Sequence, residues 1–130
     1  MQVQSFNTVR RVIFGGGALQ GIGDEIKRLG GSRVLVVTDP GIKAAGIVDK
    51  ITAVLAQAEL PHHVFADVEP DPRVEVVFQS VAVAKEFNPD IVVGLGGGSA
   101  LDISKVTAVM LTNDGKVEDY FGMEMVPKPG

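Results

Sequence analysis

The sequence contains no cysteine and no tryptophan, and only 5% of its residues are aromatic. Without cysteine, the chain can form neither a disulfide framework nor a thiolate zinc site, and it has no cysteine nucleophile. Long hydrophobic runs are also missing, since stretches such as Val34–Val37 are far shorter than the roughly 18 residues of a membrane span. The first residues lack the apolar segment of a secretory signal. We therefore expect a cytoplasmic protein with no membrane partner.

The chain also lacks an excess of positive charge. Twelve Lys and Arg residues stand against 16 Asp and Glu residues, which gives a formal net charge of -4. A chain with this balance has no global field that attracts nucleic acid, so small molecules are the expected partners. The two histidines, His62 and His63, are sequence neighbours. On a strand they would face opposite sides and could not hold one metal ion together, so we predict no metal site.

The apolar residues that are present follow an alternation of strands and helices. With 130 residues, 45% of them hydrophobic, the chain has the size of one domain, residues 1–130. Strands are predicted at Val34–Thr38, His63–Ala66 and Ile91–Leu95, and each follows a segment with helical periodicity. The first and third strands are continuously apolar, as in parallel sheets covered on both faces. The pattern predicts an α/β fold with an open, mostly parallel sheet and helices on both faces.

Four apolar stripes mark the predicted helices. The stripes are made of Leu19, Ile22, Ile26 and Leu29; Ile47, Ile51, Val54 and Ala58; Val74, Val77, Val81 and Ala84; and Ile103, Val106, Thr107 and Met110.

Two segments lie outside this alternation of strands and helices. A further strand at Arg10–Phe14 is possible, paired either with Val3–Phe6 or with another chain. The polar residues after Leu111 are expected to form a linker.

Glycine is in excess, and its densest cluster is Gly94–Gly98, which is followed by Ser99. The cluster directly follows a predicted strand and directly precedes a predicted helix. Glycines let backbone N–H groups approach a ligand, and a helix N-terminus favours an anion. The arrangement favours a phosphate or pyrophosphate ligand, and the alternative is a tight turn without a ligand.

Three polar residues, Ser99, Asp102 and Asp39, have two open interpretations each. Ser99 and Asp102 have the spacing of a helix capping arrangement, but they could instead contact a phosphate and a ribose or nicotinamide amide. Asp39 follows the first strand at the edge where such sheets bind ligands, so it could accept from ribose hydroxyls and repel a 2′-phosphate. It could equally be a helix cap. The simplest interpretation of Glu69–Pro72 is a rigid loop with a helix cap at Asp71. Because this segment also follows the carboxyl end of a strand, a place in the crevice wall is the other interpretation.

Two features limit these interpretations. In the usual dinucleotide fingerprint the glycine loop precedes the acidic residue, whereas here Asp39 precedes Gly97, so the order is not the common one. A second glycine cluster, Gly15–Gly17, could form an anion nest, but a tight turn is the favoured interpretation.

Taken in order, the stretches FGGGAL, VLVVTDPGIKAAGIVDKI, FADVEPDP and DIVVGLGGGSALDISK resemble the N-terminal domain of the iron-containing (group III) alcohol dehydrogenases. This resemblance covers nearly the whole chain and implies a Rossmann-like domain that binds NAD. It implies that the pyrophosphate lies on Gly97, Gly98 and Ser99, the adenosine ribose near Asp39, and the nicotinamide end toward Asp102. The cofactor-binding residues expected on this basis are Asp39, Pro70, Gly96, Gly97, Gly98, Ser99 and Asp102.

The resemblance also implies a larger two-domain enzyme that transfers a hydride between NAD(H) and a small alcohol or aldehyde. In that family a second, helical domain supplies Asp and His ligands to Fe²⁺, and this domain is expected to be absent here, so the chain alone should be inactive. A homodimer or higher homo-oligomer is expected. The alternatives are a relative of glycerol dehydrogenases and sugar-phosphate cyclases, or a nucleotide-binding module without catalysis.

Overall fold

The computed structural model describes residues 10–113, and in this range strands and helices alternate as predicted. A short 3-10 helix, Ala18–Gly21, leads into the first α-helix. The strands are β1 (Val34–Thr38), β2 (His62–Phe65) and β3 (Ile91–Leu95), and the helices are α1 (Ile22–Arg28), α2 (Pro40–Ala44), α3 (Ile47–Gln57), α4 (Val74–Phe87) and α5 (Gly98–Thr112).

The strands form one parallel sheet in the order β2-β1-β3. Val36 at its centre is paired with Val64 on one side and with Val93 on the other. From β1 the chain passes through α2 and α3 to β2, and it then returns through α4 to β3 on the opposite side of β1. The strands that follow β1 in the chain, β2 and β3, therefore lie on opposite sides of it, so the strand order reverses at β1. In open α/β sheets, such a switch point leaves a crevice at the carboxyl ends of the strands.

Helices cover both faces of the sheet, which confirms the predicted fold class. Each residue of β1 is 0% exposed, and alternate side chains enter opposite cores. Val34 and Val36 pack with α1 and α3, whereas Leu35 and Val37 pack with α4 and α5. The apolar run of β1 is thus explained by burial on both sides.

Strand β3 departs from the expectation of full burial. All of its residues are only partly buried, because β3 lies at the edge of the described sheet and has a strand neighbour on one side alone. Strand β2 also differs slightly, since it begins and ends one residue before the predicted His63–Ala66. The strand bounds predicted for β1 and β3 are confirmed.

Most members of the predicted helix stripes are buried or partly buried, with two exceptions. Leu29 is 63% exposed and Val74 is 48% exposed. Leu29 is the C-cap residue of α1, and Val74 is the first residue of α4. At a helix end, the side chain projects beyond the neighbouring element, so helical periodicity overestimates its burial.

At the amino end of the sheet, Asp90 ties together the loops that precede β1 and β3. Its carboxylate accepts hydrogen bonds from Ser32 N at 2.9 Å, from Ser32 Oγ at 2.6 Å and from Arg33 N at 2.8 Å. Partial desolvation favours the neutral acid, but these hydrogen bonds outweigh it and lower the pKa of Asp90. This carboxylate holds the edge of the sheet that lies opposite the crevice.

The strand considered at Arg10–Phe14 is not observed, because these residues have no strand conformation in the structure. Val12, Ile13 and Phe14 are exposed, and the proposed pairing segment, Val3–Phe6, lies outside the described residues, as does most of the predicted C-terminal linker. None of the helices formed by residues 10–113 has the length and apolar character needed to cross a membrane.

Candidate functional site

A cleft of about 470 Å³ opens at the carboxyl edge of the sheet. Its walls come from the segments that follow all three strands, so the topology alone brings them together. Five of the seven predicted site residues line it, whereas Gly96 and Asp102 do not. The lining residues are Asp39, Pro40, Gly41, Val68, Glu69, Pro70, Gly97, Gly98, Ser99 and Ala100.

Asp39 is the N-cap residue of α2, as one of its two interpretations predicted, and it also lines the cleft. Its Oδ1 accepts a hydrogen bond from Ile42 N at 2.8 Å, which caps α2. Its other oxygen, Oδ2, faces the glycine turn, since a Cβ atom placed on Gly96 would lie 3.1 Å from it. The cap fixes the side chain and leaves Oδ2 directed toward the turn after β3.

Two glycines, Gly94 within β3 and Gly96 in the turn that follows it, are required by the fold. A Cβ atom on Gly94 would lie 2.5 Å from Ser104 Oγ, so a side chain there would push α5 away from β3. Gly96 has a φ of +138°, a conformation that side chains other than glycine rarely adopt. The packing of α5 and the shape of the turn therefore explain Gly94 and Gly96 without a ligand.

Gly97 and Gly98 have no such explanation. Nothing lies within 4 Å of a Cβ atom placed on either residue, and neither has a positive φ. Gly98 is the first residue of α5, and its surroundings have room for a side chain. Both glycines line the cleft. A ligand that approaches the backbone closely would supply the reason that the fold does not.

The first turn of α5 presents unpaired backbone donors to this cleft. The helix begins at Gly98 after the N-cap residue Gly97, and no side chain caps it. The first intrahelical bond of this end runs from Leu101 N to Gly97 O at 3.1 Å. The N–H groups that precede it, together with the positive end of the helix dipole, form a favourable environment for an anion.

The predicted capping arrangement of Ser99 and Asp102 is therefore wrong. The helix starts two residues earlier than that arrangement needs, which places Ser99 within the first turn and not at the cap. Ser99 is partly buried and lines the cleft. Asp102 is exposed and does not line it, so its contact with a nicotinamide end stays a prediction.

Thr38 holds the two sides of the cleft together and was missed in the sequence. Its buried Oγ1 donates to Leu95 O at 2.7 Å, which joins the carboxyl ends of β1 and β3. Its carbonyl accepts from Val68 N at 3.3 Å, which holds the segment after β2. A hydroxyl at the end of an otherwise apolar strand was the available signal.

The segment after β2 forms a wall of the cleft, as predicted, through Val68, Glu69 and Pro70. Arg73 Nε donates to Glu69 Oε1 at 2.9 Å, and this hydrogen bond and the negative charge of Glu69 raise the pKa of Arg73. The predicted cap at Asp71 is wrong, because α4 begins at Val74 and its N-cap residue is Arg73. Asp71 instead has a left-handed φ of 46°.

At the other glycine cluster, the favoured interpretation as a tight turn is confirmed. Gly15 and Gly17 have positive φ values, and their carbonyl groups accept from Ala18 N and Gln20 N. Within residues 10–113, no group of three or more His, Cys, Asp or Glu side chains could hold a metal ion.

The parallel sheet with helices on both faces, and a glycine turn at its switch point, defines a Rossmann-like domain. The model of the family "Iron-containing alcohol dehydrogenase" matches residues 9–130. The chain belongs to this family, and the resemblance noted in the sequence is confirmed. The family name implies iron, but residues 10–113 contain no fitting ligand group, so no chemical step through iron is assigned to them.

Similar proteins and solved structures support membership of this family. The chain is 42% identical over 122 residues to long-chain-alcohol dehydrogenase 1 of Geobacillus thermodenitrificans, covering 89% of this chain and 31% of that protein. It matches the crystal structure of NADH-dependent butanol dehydrogenase A from Thermotoga maritima with a TM-score of 0.88 and 30% identity, covering 99% and 33%. It matches sulfoacetaldehyde reductase from Bifidobacterium kashiwanohense, solved with NAD⁺, with a TM-score of 0.73 and 27% identity, covering 85% and 29%. The chain thus spans about a third of the length of these relatives.

Proposed function

We propose that residues 1–130 are the N-terminal dinucleotide-binding domain of an NAD-dependent alcohol dehydrogenase, which transfers a hydride between NAD(H) and a small alcohol or aldehyde. The observation that carries this proposal is the pair Gly97 and Gly98. They lie at the uncapped start of α5 and line the cleft, and nothing in the fold occupies the space of their side chains. A pyrophosphate on these backbone N–H groups accounts for both residues.

The remaining cleft residues have complementary roles in this proposal. The Ser99 hydroxyl donates to a phosphate oxygen, and Asp39 Oδ2 accepts from a hydroxyl of the adenosine ribose. Pro70 forms the apolar wall on the β2 side. Gly96 lets the Asp39 carboxylate lie against the turn, since a Cβ atom there would lie 3.1 Å from Oδ2, and Asp102 points toward the nicotinamide end. The bound NAD supplies the hydride chemistry, and these residues bind and orient it.

Names of relatives support the cofactor and the substrate class. Proteins that this chain resembles are named as NADH-dependent butanol dehydrogenase A, long-chain-alcohol dehydrogenase 1 and a reductase in complex with NAD⁺. Because the chain spans about a third of their length, the iron ligands and the substrate pocket are proposed to lie in a further domain of the intact enzyme. We also propose a homo-oligomer and a cytoplasmic location. The family match favours this function over a glycerol dehydrogenase or sugar-phosphate cyclase relative.

Calorimetric titration of the 130-residue chain with NAD tests the proposal. We expect saturable binding of NAD and similar binding of ADP-ribose, which contains the adenosine, both phosphates and both riboses. Nicotinamide mononucleotide lacks the pyrophosphate and should bind at least tenfold more weakly, since it forfeits charge-assisted hydrogen bonds of roughly 1.5–3 kcal/mol each. Absence of binding by a chain that is folded by circular dichroism would refute the proposal.

A further inference from the structure

An ion pair lies on the rim of the cleft, between Glu69 and Arg73. Glu69 lines the cleft that also contains Asp39. Arg73 lines an adjoining cleft of about 380 Å³, which shares Pro40, Val68, Glu69 and Pro70 with the first. Arg73 Nε lies 2.9 Å from Glu69 Oε1. Glu69 is therefore positioned between the arginine and the candidate cofactor site.

The charges around the cleft are unevenly distributed. Its lining contains two carboxylates, Asp39 and Glu69, and no Lys or Arg. Arg73 lines the adjoining cleft and is paired with Glu69. A dinucleotide with an additional phosphate on its adenosine ribose would therefore meet two negative charges, while the nearest guanidinium is already paired.

We propose that Glu69 is a specificity-determining residue that keeps Arg73 out of the cleft and thereby favours NAD over NADP. This inference rests on the proposed function. A 2′-phosphate is bound best by an arginine, whose planar group can donate two parallel hydrogen bonds. While Arg73 donates to Glu69, its guanidinium is engaged by that carboxylate, and Glu69 adds its own repulsion of a phosphate to that of Asp39.

The ion pair is weak enough for one substitution to release the arginine. The side chains of Arg73 and Glu69 are 68% and 41% exposed, and exposed ion pairs shift an equilibrium by roughly twofold to fivefold. Removing the Glu69 charge also removes its repulsion of a phosphate, an effect of similar size that salt screens. Together these effects predict a change of roughly fivefold to tenfold in the ratio of NADP affinity to NAD affinity.

The test is a titration of the 130-residue chain and its variants with NAD and with NADP. We expect Glu69→Gln to raise the ratio of NADP affinity to NAD affinity by roughly fivefold to tenfold, with the gain decreasing at high salt. The double variant Glu69→Gln/Arg73→Gln should lose the part of this gain that the released guanidinium supplies, about half of the gain on a logarithmic scale, and should keep the part that comes from removing the Glu69 charge. Glu86→Gln is the matched control, since it removes an exposed charge from the last turn of α4 without altering the lining of either cleft.

The outcomes separate this inference from the proposed function. If the parent chain binds NAD but Glu69→Gln has an unchanged ratio, Glu69 does not determine specificity and only the inference is overturned. The same holds if the whole gain of Glu69→Gln persists in the double variant or if an equal gain appears in Glu86→Gln. If the folded parent binds neither nucleotide, the proposed function and the inference are both overturned.

Discussion

Replacing Gly98 with valine should abolish NAD binding while leaving the fold intact. Gly98 is the first residue of α5, and a Cβ atom there meets nothing within 4 Å. Its backbone is helical, so valine is conformationally acceptable. Since both glycine and valine are poor helix formers, the free energy of unfolding should change by about 0.5 kcal/mol or less.

The effect on binding should be much larger. A phosphate that accepts from the first-turn N–H groups lies about 2.9 Å from them, and the two methyl groups of valine would occupy part of that space. Loss of two charge-assisted hydrogen bonds, at roughly 1.5–3 kcal/mol each, lowers the affinity by more than about 100-fold. Calorimetry measures this loss, and thermal unfolding followed by circular dichroism measures the stability.

Two other glycines provide matched controls. Gly21 is the exposed N-cap residue of α1, with a φ of -88° and nothing near its Cβ position. Gly21→Val should therefore preserve both stability and NAD binding. Gly96→Ala should differ from Gly98→Val in its effect on stability, because a positive φ and a Cβ contact of 3.1 Å to Asp39 Oδ2 should lower the free energy of unfolding by about 1–3 kcal/mol.

The decisive comparison is between Gly98→Val and the parent chain. If the folded variant binds NAD as tightly as the parent does, the phosphate does not lie on the start of α5, and the role assigned to Gly98 is wrong. If the variant unfolds, Gly98→Ala provides a smaller side chain for the same comparison.

Three further predictions concern specificity, acid stability and activity. Asp39→Asn keeps an oxygen that can cap α2 but removes the charge, so the preference for NAD over NADP should narrow; an unchanged ratio of affinities would remove Asp39 from the ribose site. Asp90→Ala removes the acceptor of the hydrogen bonds from Ser32 and Arg33, so it should destabilise the fold by about 1 kcal/mol at neutral pH. Because the pKa of Asp90 is lowered by folding, its contribution is present above the unfolded pKa of about 3.9 and is lost as the pH falls through the folded pKa, so parent and variant should converge in acid; a constant difference would contradict this. The chain alone, supplied with Fe²⁺, NAD and butanol, should produce no NADH, and metal-dependent NADH formation would reveal a catalytic site that the described residues do not show.

The sequence predicted correctly those elements of the fold whose side chains are buried. Strand β1 packs on both faces, and its apolar sequence therefore marks its bounds correctly. The exposure of Leu29 and Val74 could not be predicted, because periodicity does not indicate where a helix ends relative to its neighbours. The segment Arg10–Phe14 has an apolar sequence typical of a strand, but a strand also requires a partner, and the partner is not evident from local sequence.

The sequence predicted most of the residues that line the candidate site, but not which of its glycines the fold requires and which it leaves free for a ligand. The sequence placed Asp39, Pro70 and the glycine turn at one edge of the sheet, and they line one cleft. It could not distinguish Gly96, which the backbone requires, from Gly98, which it does not. That distinction depends on φ angles and on atoms from α2 and α5. The same applies to Thr38, whose partner Leu95 O is distant in sequence.

The most direct test of the account is an NMR titration of the isotope-labelled 130-residue chain with NAD, followed through backbone amide shifts. The account predicts that the largest changes occur at Gly97, Gly98 and Ser99, with smaller changes at Asp39 and Gly41, while amides near Asp90 at the opposite edge stay unchanged. Saturable changes that cluster away from the start of α5, for example around Leu19 and Ile22, would contradict the central claim that the pyrophosphate binds at this helix.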